Sequence, residues 1–305
     1  MRFTVPTIYS NALATAVQLD IPYEVLPYTT LTEALDTSSI LPFQPSIITA
    51  GSEIFDDYDP DVDVKSFASD FFVIGNGGHA IVAGPVGGIP ITNPIAHRST
   101  DSGLYKIIPF IVRPITNDLN AVERQNYYLR KVISVNNVLY VAYFGRRIDL
   151  SSASPDMTLV TSVNGNDVTT SFIPTLNNLK PTAPAPGSQA NGNYVNVSTG
   201  VTINFSATEV TELKQACLLL YGDENFAIIS EIGLCHGVKK VVTARYPDSG
   251  TQTPVAVTAD TYYEVAAPQI NCHYVTFYPV SYTNNGFDLT FDLAASEPLY
   301  GVENV

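Results

Sequence analysis

The sequence predicts a mainly β protein: antiparallel sheets, sandwich or barrel-like, with an inserted two-helix hairpin and an irregular, proline-rich N-terminal lead. Three observations predict it. Tyr, Asn, Thr and Val are plentiful while charged residues are only 14%, against the usual ~25%, a composition that suits pleated, half-buried surfaces. Short apolar runs recur between turns rich in Gly, Asn and Pro. One segment alone, just past residue 205, carries strong helix start and stop signals.

Residues 1–66 read as an irregular arm, because Pro6, Pro22, Pro27, Pro42 and Pro45 keep interrupting it. Helical signals there are confined to Asn11–Val17 and Thr30–Leu35. From Phe67 strands follow. Phe71–Ile74 and Ala80–Ala83 flank Gly75-Asn76-Gly77-Gly78, and Tyr105–Pro114 is another strand, in which Pro109 marks an edge or a bulge. Tyr127–Val135 and Val138–Ile148 form a hairpin across Asn136-Asn137, residues that tolerate the positive φ of a two-residue turn. Met157–Val163 and Val168–Ile173 form a second, around Asn164-Gly165-Asn166. Pro174–Asn193 reads as a linker, so the expected domains are 67–175 and 194–305, joined by 176–193.

Tyr194–Phe205 is expected to turn back across Thr199-Gly200. Ser206 and Glu209 then fit a capping box ahead of Val210, Leu213, Cys217 and Leu220, with Gly222 as the stop. Asp223 is placed to cap a second helix, Glu224–His236, through Phe226, Ile229 and Ile232. Lys239–Arg245, Thr261–Ala266, Ile270–Pro279 and Phe287–Leu293 close the chain as strands.

Charge is laid out unevenly. The net is −14, yet residues 98–147 hold eight basic side chains against three acidic ones. Such a division favours ordered contact with copies or neighbours. Arg113, Arg124, Arg130, Arg146 and Arg147 are therefore expected to meet acidic surfaces of adjacent subunits, with Asp57, Asp59, Asp61 and Asp63 as acidic counterparts. Tyr127, Tyr128, Tyr140 and Tyr143 interleave with the arginines, but an acidic remainder would repel phosphates, so nucleic acid is an unlikely partner. No stretch reaches the roughly 18 apolar residues of a membrane span, and no export signal is evident. Three scattered cysteines do not make a disulfide framework, which fits synthesis in a reducing host cytoplasm.

Motifs for chemistry are weak. The acidic run Asp56–Asp63 offers hard oxygens, but it lacks the Gly and Glu of an EF-hand loop, leaving at most weak Ca²⁺ binding. Gly75–His79 lacks the following helix and Lys-Ser/Thr of a phosphate loop. Cys235-His236 and Cys272-His273 are adjacent pairs whose members diverge, which disfavours zinc. There is no G-x-S-x-G elbow, and His79 and His97 have no evident carboxylate to orient them. No cofactor and no enzymatic activity are expected.

Five segments carry a resemblance: Phe72–His79 (FVIGNGGH), Leu104–Leu119 (LYKIIPFIVRPITNDL), Tyr127–Ser152, Ile229–Val238 (ISEIGLCHGV) and Asp288–Pro298. In these the chain resembles virion structural proteins of large tailed bacteriophages. The resemblance implies a non-enzymatic subunit present in many copies, preferably in the neck, collar or tail, with a capsid decoration protein as the alternative. It implies a homo-oligomer located in the virion, with portal or adaptor, tail or capsid subunits as partners. A carbohydrate- or receptor-binding β module is the rival from another class.

Overall fold

In the computed structural model, the described residues are 3–21, 23, 31, 67–84, 88, 90–151, 153–163, 166–176, 180, 190–244, 260–281 and 284–300. The chain opens with β1 (Phe3–Pro6) and α1 (Ile8–Leu19), where Thr7 caps the helix by accepting from Ser10 N–H. The weak helical signal at Asn11–Val17 belongs to this longer helix. The expected helix at Thr30–Leu35, apart from Leu31, and the acidic run Asp56–Asp63 lie outside the described residues.

β2 (Phe67–Gly75) and β3 (His79–Ala83) flank the glycine-rich connection as expected, but β3 pairs with β4 (Pro90–Pro94) in a small sheet of its own. Pro109 has no N–H to donate. It therefore splits the next run into β5 (Ile107–Ile108) and β6 (Ile111–Pro114), which pair with different strands. One helical turn, α2 (Ala121–Arg124), carries a capping box of Asn120 and Glu123. β7 (Tyr127–Val135) and β8 (Val138–Arg147) form the expected hairpin, with Asn136 and Asn137 at φ 51° and 62°.

β9 (Asp156–Val163) and β10 (Asn166–Ser171) make the second expected hairpin. β11 (Ala190–Ser206) corrects the sequence reading, running straight through Thr199-Gly200 where a turn is expected. Its neighbour β14 (Gly286–Tyr300) passes the glycine on both sides, with Thr202 hydrogen-bonded to Thr290 and Asn196 to Ser296.

α3 (Ala207–Tyr221) forms as its capping box predicts. Ser206 accepts from Glu209 N–H, the Glu209 carboxylate accepts from Ser206 N–H, and Gly222 ends the helix at φ 77°. The second helix does not form. After a 3-10 turn at Glu224–Phe226 the chain enters β12 (Ile228–Ala244), then β13 (Asp260–Pro279). β12 is flanked by β2 and β13 and is buried from Ile229 through Gly237. An unbroken buried run has no period to separate helix from strand, and its isoleucines favour the strand. β13 fuses two expected strands, and Pro268 sits where the β12 register shifts between His236 and Val238.

An eight-stranded sheet runs β1-β13-β12-β2-β8-β6, with β5 on β2 and β7 on β8; a four-stranded sheet runs β10-β9-β11-β14. Phe71, Val73, Leu129, Phe144, Cys235 and Ile270 belong to one buried cluster. The chain divides into Met1–Asp149 with Asn204–Asp288, and Leu150–Ile203 with Leu289–Val305. These boundaries differ from the expected 67–175 and 194–305. The reason is pairing: β2 bonds to β12 across more than 150 residues of sequence, so a proline-rich stretch between them does not separate domains.

Candidate functional site

The register of β12 places Glu231 opposite Gly75 of β2 and Val275 of β13, at the centre of the large sheet. Its side chain is wholly buried. A buried carboxylate costs several kcal/mol unless its oxygens are filled, and here all four directions are. Oε1 accepts from Gly77 N–H at 3.0 Å and Lys106 N–H at 2.8 Å. Oε2 accepts from Tyr105 N–H at 2.8 Å and lies 2.9 Å from His97 Nε2.

The Gly75–Gly78 connection is thus an anion cradle after all, but the anion is the chain's own side chain. Glycine is needed at 77 for close approach, since a Cβ there would meet Lys106 N at 2.7 Å. Gly78 N–H donates to Ser230 Oγ at 3.0 Å, and Asn76 N–H to Lys106 O at 2.9 Å, so the loop is stitched down on both sides of the carboxylate.

His97 bridges two acids, with Nδ1 3.3 Å from Asp101 Oδ2. Burial pushes the Asp101 carboxyl up, but hydrogen bonds from Arg98 and His97 outweigh it and hold it below its ordinary value. The His97 ring stacks between Tyr105, at 4.4 Å, and His273 of β13, at 3.9 Å and 14°. His273 Nε2 donates to Asp101 O at 3.0 Å, while its Nδ1 is buried with no hydrogen-bond partner. Burial first, and the neighbouring His97 second, depress the His273 pKa to about 4. His236, beside Gln269 and Asn271, is likewise depressed to about 4 by burial.

Chemically this is a sealed, hydrogen-bonded cluster. His97 is only 5% exposed and Glu231 and His273 not at all. Both Glu231 oxygens are saturated by the chain itself. The three cysteines are free and buried, and burial raises the Cys217 and Cys272 thiols to about 12. Among the described residues no group of three His, Cys, Asp or Glu side chains is arranged to hold a metal ion.

The arginines expected at subunit contacts are largely committed within the chain. Arg124 and Arg130 are buried, correcting their expected place on a surface: both pair with Asp118, Arg130 Nη2 at 2.9 Å, and Tyr143 donates to the same carboxylate at 2.7 Å. Tyr143 is raised far above the ordinary phenol value, first by burial. Arg113 pairs with Glu212 of α3, and Arg146 with Glu209 at 2.7 Å while donating to Asn204 O. Arg147 is exposed at the end of β8. Asp57, Asp59, Asp61 and Asp63 lie outside the described residues.

Sequence reasoning left His97 without an orienting carboxylate, and the structure supplies two. The four-residue spacing from His97 to Asp101 was a legible signal. Glu231, 134 residues away on a segment read as helix, offered none.

The chain belongs to the DUF7208 family, described as a family of unknown function, whose model matches residues 53–305. No curated protein and no solved structure matches it.

Proposed function

We propose that the protein is a non-enzymatic structural subunit of a bacteriophage particle, in the neck, collar or tail, with capsid decoration as the alternative layer. The observation that carries this reading is the open sheet β10-β9-β11-β14 of the second unit. β10, the outer strand among the described residues, exposes all six of its residues, an edge able to accept another strand. On one face Met157, Leu159 and Thr161 stand in register with Val197 and Val195 of β11 and with Thr170 and Val168 of β10. None of these is charged, and Met157, Val168 and Val197 are exposed. Among the described residues of this unit there is no helix to cover that face. On a chain of net charge −14, copies approach most easily through a face that carries no charge.

Four of the five arginines are engaged inside the chain, so assembly in this reading runs through strand edges and apolar contact and resists salt. Light scattering of the full chain over protein concentration and salt tests it. The expected result is a discrete oligomer that persists as salt rises and is weakened by Val168→Lys with Val197→Lys. A monomer at every concentration would overturn assembly through this unit, and absence from purified particles would overturn the virion role. A second reading, the carbohydrate- or receptor-binding module, is favoured by a groove lined by Pro155, Asp156, Thr158, Thr169, Thr170 and Ser171. Glycan-array binding would support it.

A further inference from the structure

The N-terminal arm and the buried histidines meet at one loop. β1 lies on the outer edge of β13, with Val5 opposite His273. Thr7 adds a hydroxyl bond to Ile270 O at 2.6 Å and an N–H bond to Asn271 O at 2.8 Å. α1 is tied to residues 99 and 100: Ile8 N–H donates to Ser99 O at 2.9 Å, and Tyr9 OH to Thr100 O at 2.8 Å. The flanking residues of that same loop, His97 and Asp101, are the two that close over His273.

We propose that residues 3–21 are an acid-releasable arm: a proton taken up by His273 opens the 97–101 loop and frees β1 and α1 from the sheet edge, while the rest of the sheet stays folded. A proton on His273 Nδ1 would sit in a sealed site with no acceptor and against the His97 ring, an arrangement that only access to water relieves. The least costly opening is on the arm's side. β1 is four residues long with a partner on one side only among the described residues, and Ala16 is the one buried residue of α1. On the other side, β12 is paired on both edges.

The charged and titratable groups that act on His273 are His97 and Asp101 of the loop and Glu231 of β12, with Arg98 paired to Asp101 and Tyr105 stacked on the far face of His97. Asp101 and Glu231 favour the proton; burial and His97 oppose it and prevail. His236 titrates in the same direction, near Gln269, which accepts from Tyr23 OH at 2.9 Å. A histidine held at about 4 when docked and returned by access to water to the ordinary ~6.5 leaves docking intact above about pH 6.5 and weakens it progressively as pH falls toward 4. Between pH 7.5 and 5.0 the docking equilibrium should fall about 30-fold.

Hydrogen exchange on the full chain at those two pH values, corrected for intrinsic exchange rates, tests this. Peptides from 3–21 should lose about 30-fold in protection at pH 5.0, while peptides from 228–237 keep theirs. His273→Gln, which can still donate to Asp101 O but does not titrate, should remove the His273 share and leave only what His236 contributes. Thr7→Val, which removes the hydroxyl bond to Ile270 O, should move the release midpoint to higher pH and gives a handle if the glutamine variant fails to fold. An arm whose protection is unchanged by pH, a loss undiminished by His273→Gln, a midpoint unmoved by Thr7→Val, or arm and core losing protection together would each overturn the proposal.

Discussion

Replacing Glu231 with Gln tests the central cluster with almost no change of shape. In the native protein each carboxylate oxygen accepts two donors: Gly77 and Lys106 N–H on one, Tyr105 N–H and His97 on the other. Gln offers one oxygen and one NH₂. With the oxygen facing Gly77 and Lys106, those two bonds survive but lose their charge assistance. The NH₂ then faces His97, which can switch tautomer and accept, and Tyr105 N–H, which cannot. One backbone donor is thus buried without an acceptor, a cost of about 1–3 kcal/mol, and two weakened bonds add about 1 kcal/mol more. The expected loss is about 2–4 kcal/mol, survivable within the roughly 5–15 kcal/mol of a typical domain. Urea titration followed by far-UV circular dichroism, suited to a chain with no Trp, should show a lower midpoint at unchanged slope. Glu231→Ala orphans all four donors and should cost more than the Gln variant. A Gln variant within about 0.5 kcal/mol of wild type would refute the reasoning, because it would mean that these four bonds do not depend on the carboxylate's charge.

Two further substitutions probe the elements that build this site. Gly77→Ala places a Cβ 2.7 Å from both Lys106 N and Tyr105 Cβ, backbone and a ring root that cannot swing away, so about 2–3 kcal/mol of stability should be lost in the same titration. Gly88→Ala, with open space around it but a φ of +70°, serves as the control and should lose about 1 kcal/mol. Ser206→Ala removes the hydroxyl that accepts from Glu209 N–H at the start of α3; about 1 kcal/mol should disappear, with exchange protection falling first in the opening turn of that helix.

The basic segment of the charge pattern is answered largely within the chain. The basic segment does meet carboxylates, but Asp118, Glu209 and Glu212 of the same chain answer Arg124, Arg130, Arg146 and Arg113. Opposite charges far apart in sequence attract equally whether they lie in one molecule or two. Composition reports the attraction and only the fold reports the address. The cradle is a parallel case: Gly75–Gly78 has the chemistry of an anion loop, and its occupant arrives on a strand 150 residues later.

What the sequence determined by itself is local: the β class, the Asn136-Asn137 hairpin, and α3 from its Ser206–Glu209 box to Gly222. Each rests on groups within a few residues of one another, where backbone sterics and short hydrogen bonds act without help. Tertiary structure decided the rest. Ile228–Gly237 became a strand because β2 and β13 offered it partners on both edges. Thr199-Gly200 stayed straight because β14 ran alongside. The domain division followed pairing rather than composition. The contact of Glu231 with the His97–Asp101 pair exists only once segments 134 residues apart close around one buried charge, and it is burial that makes the hydrogen bonds to that charge necessary.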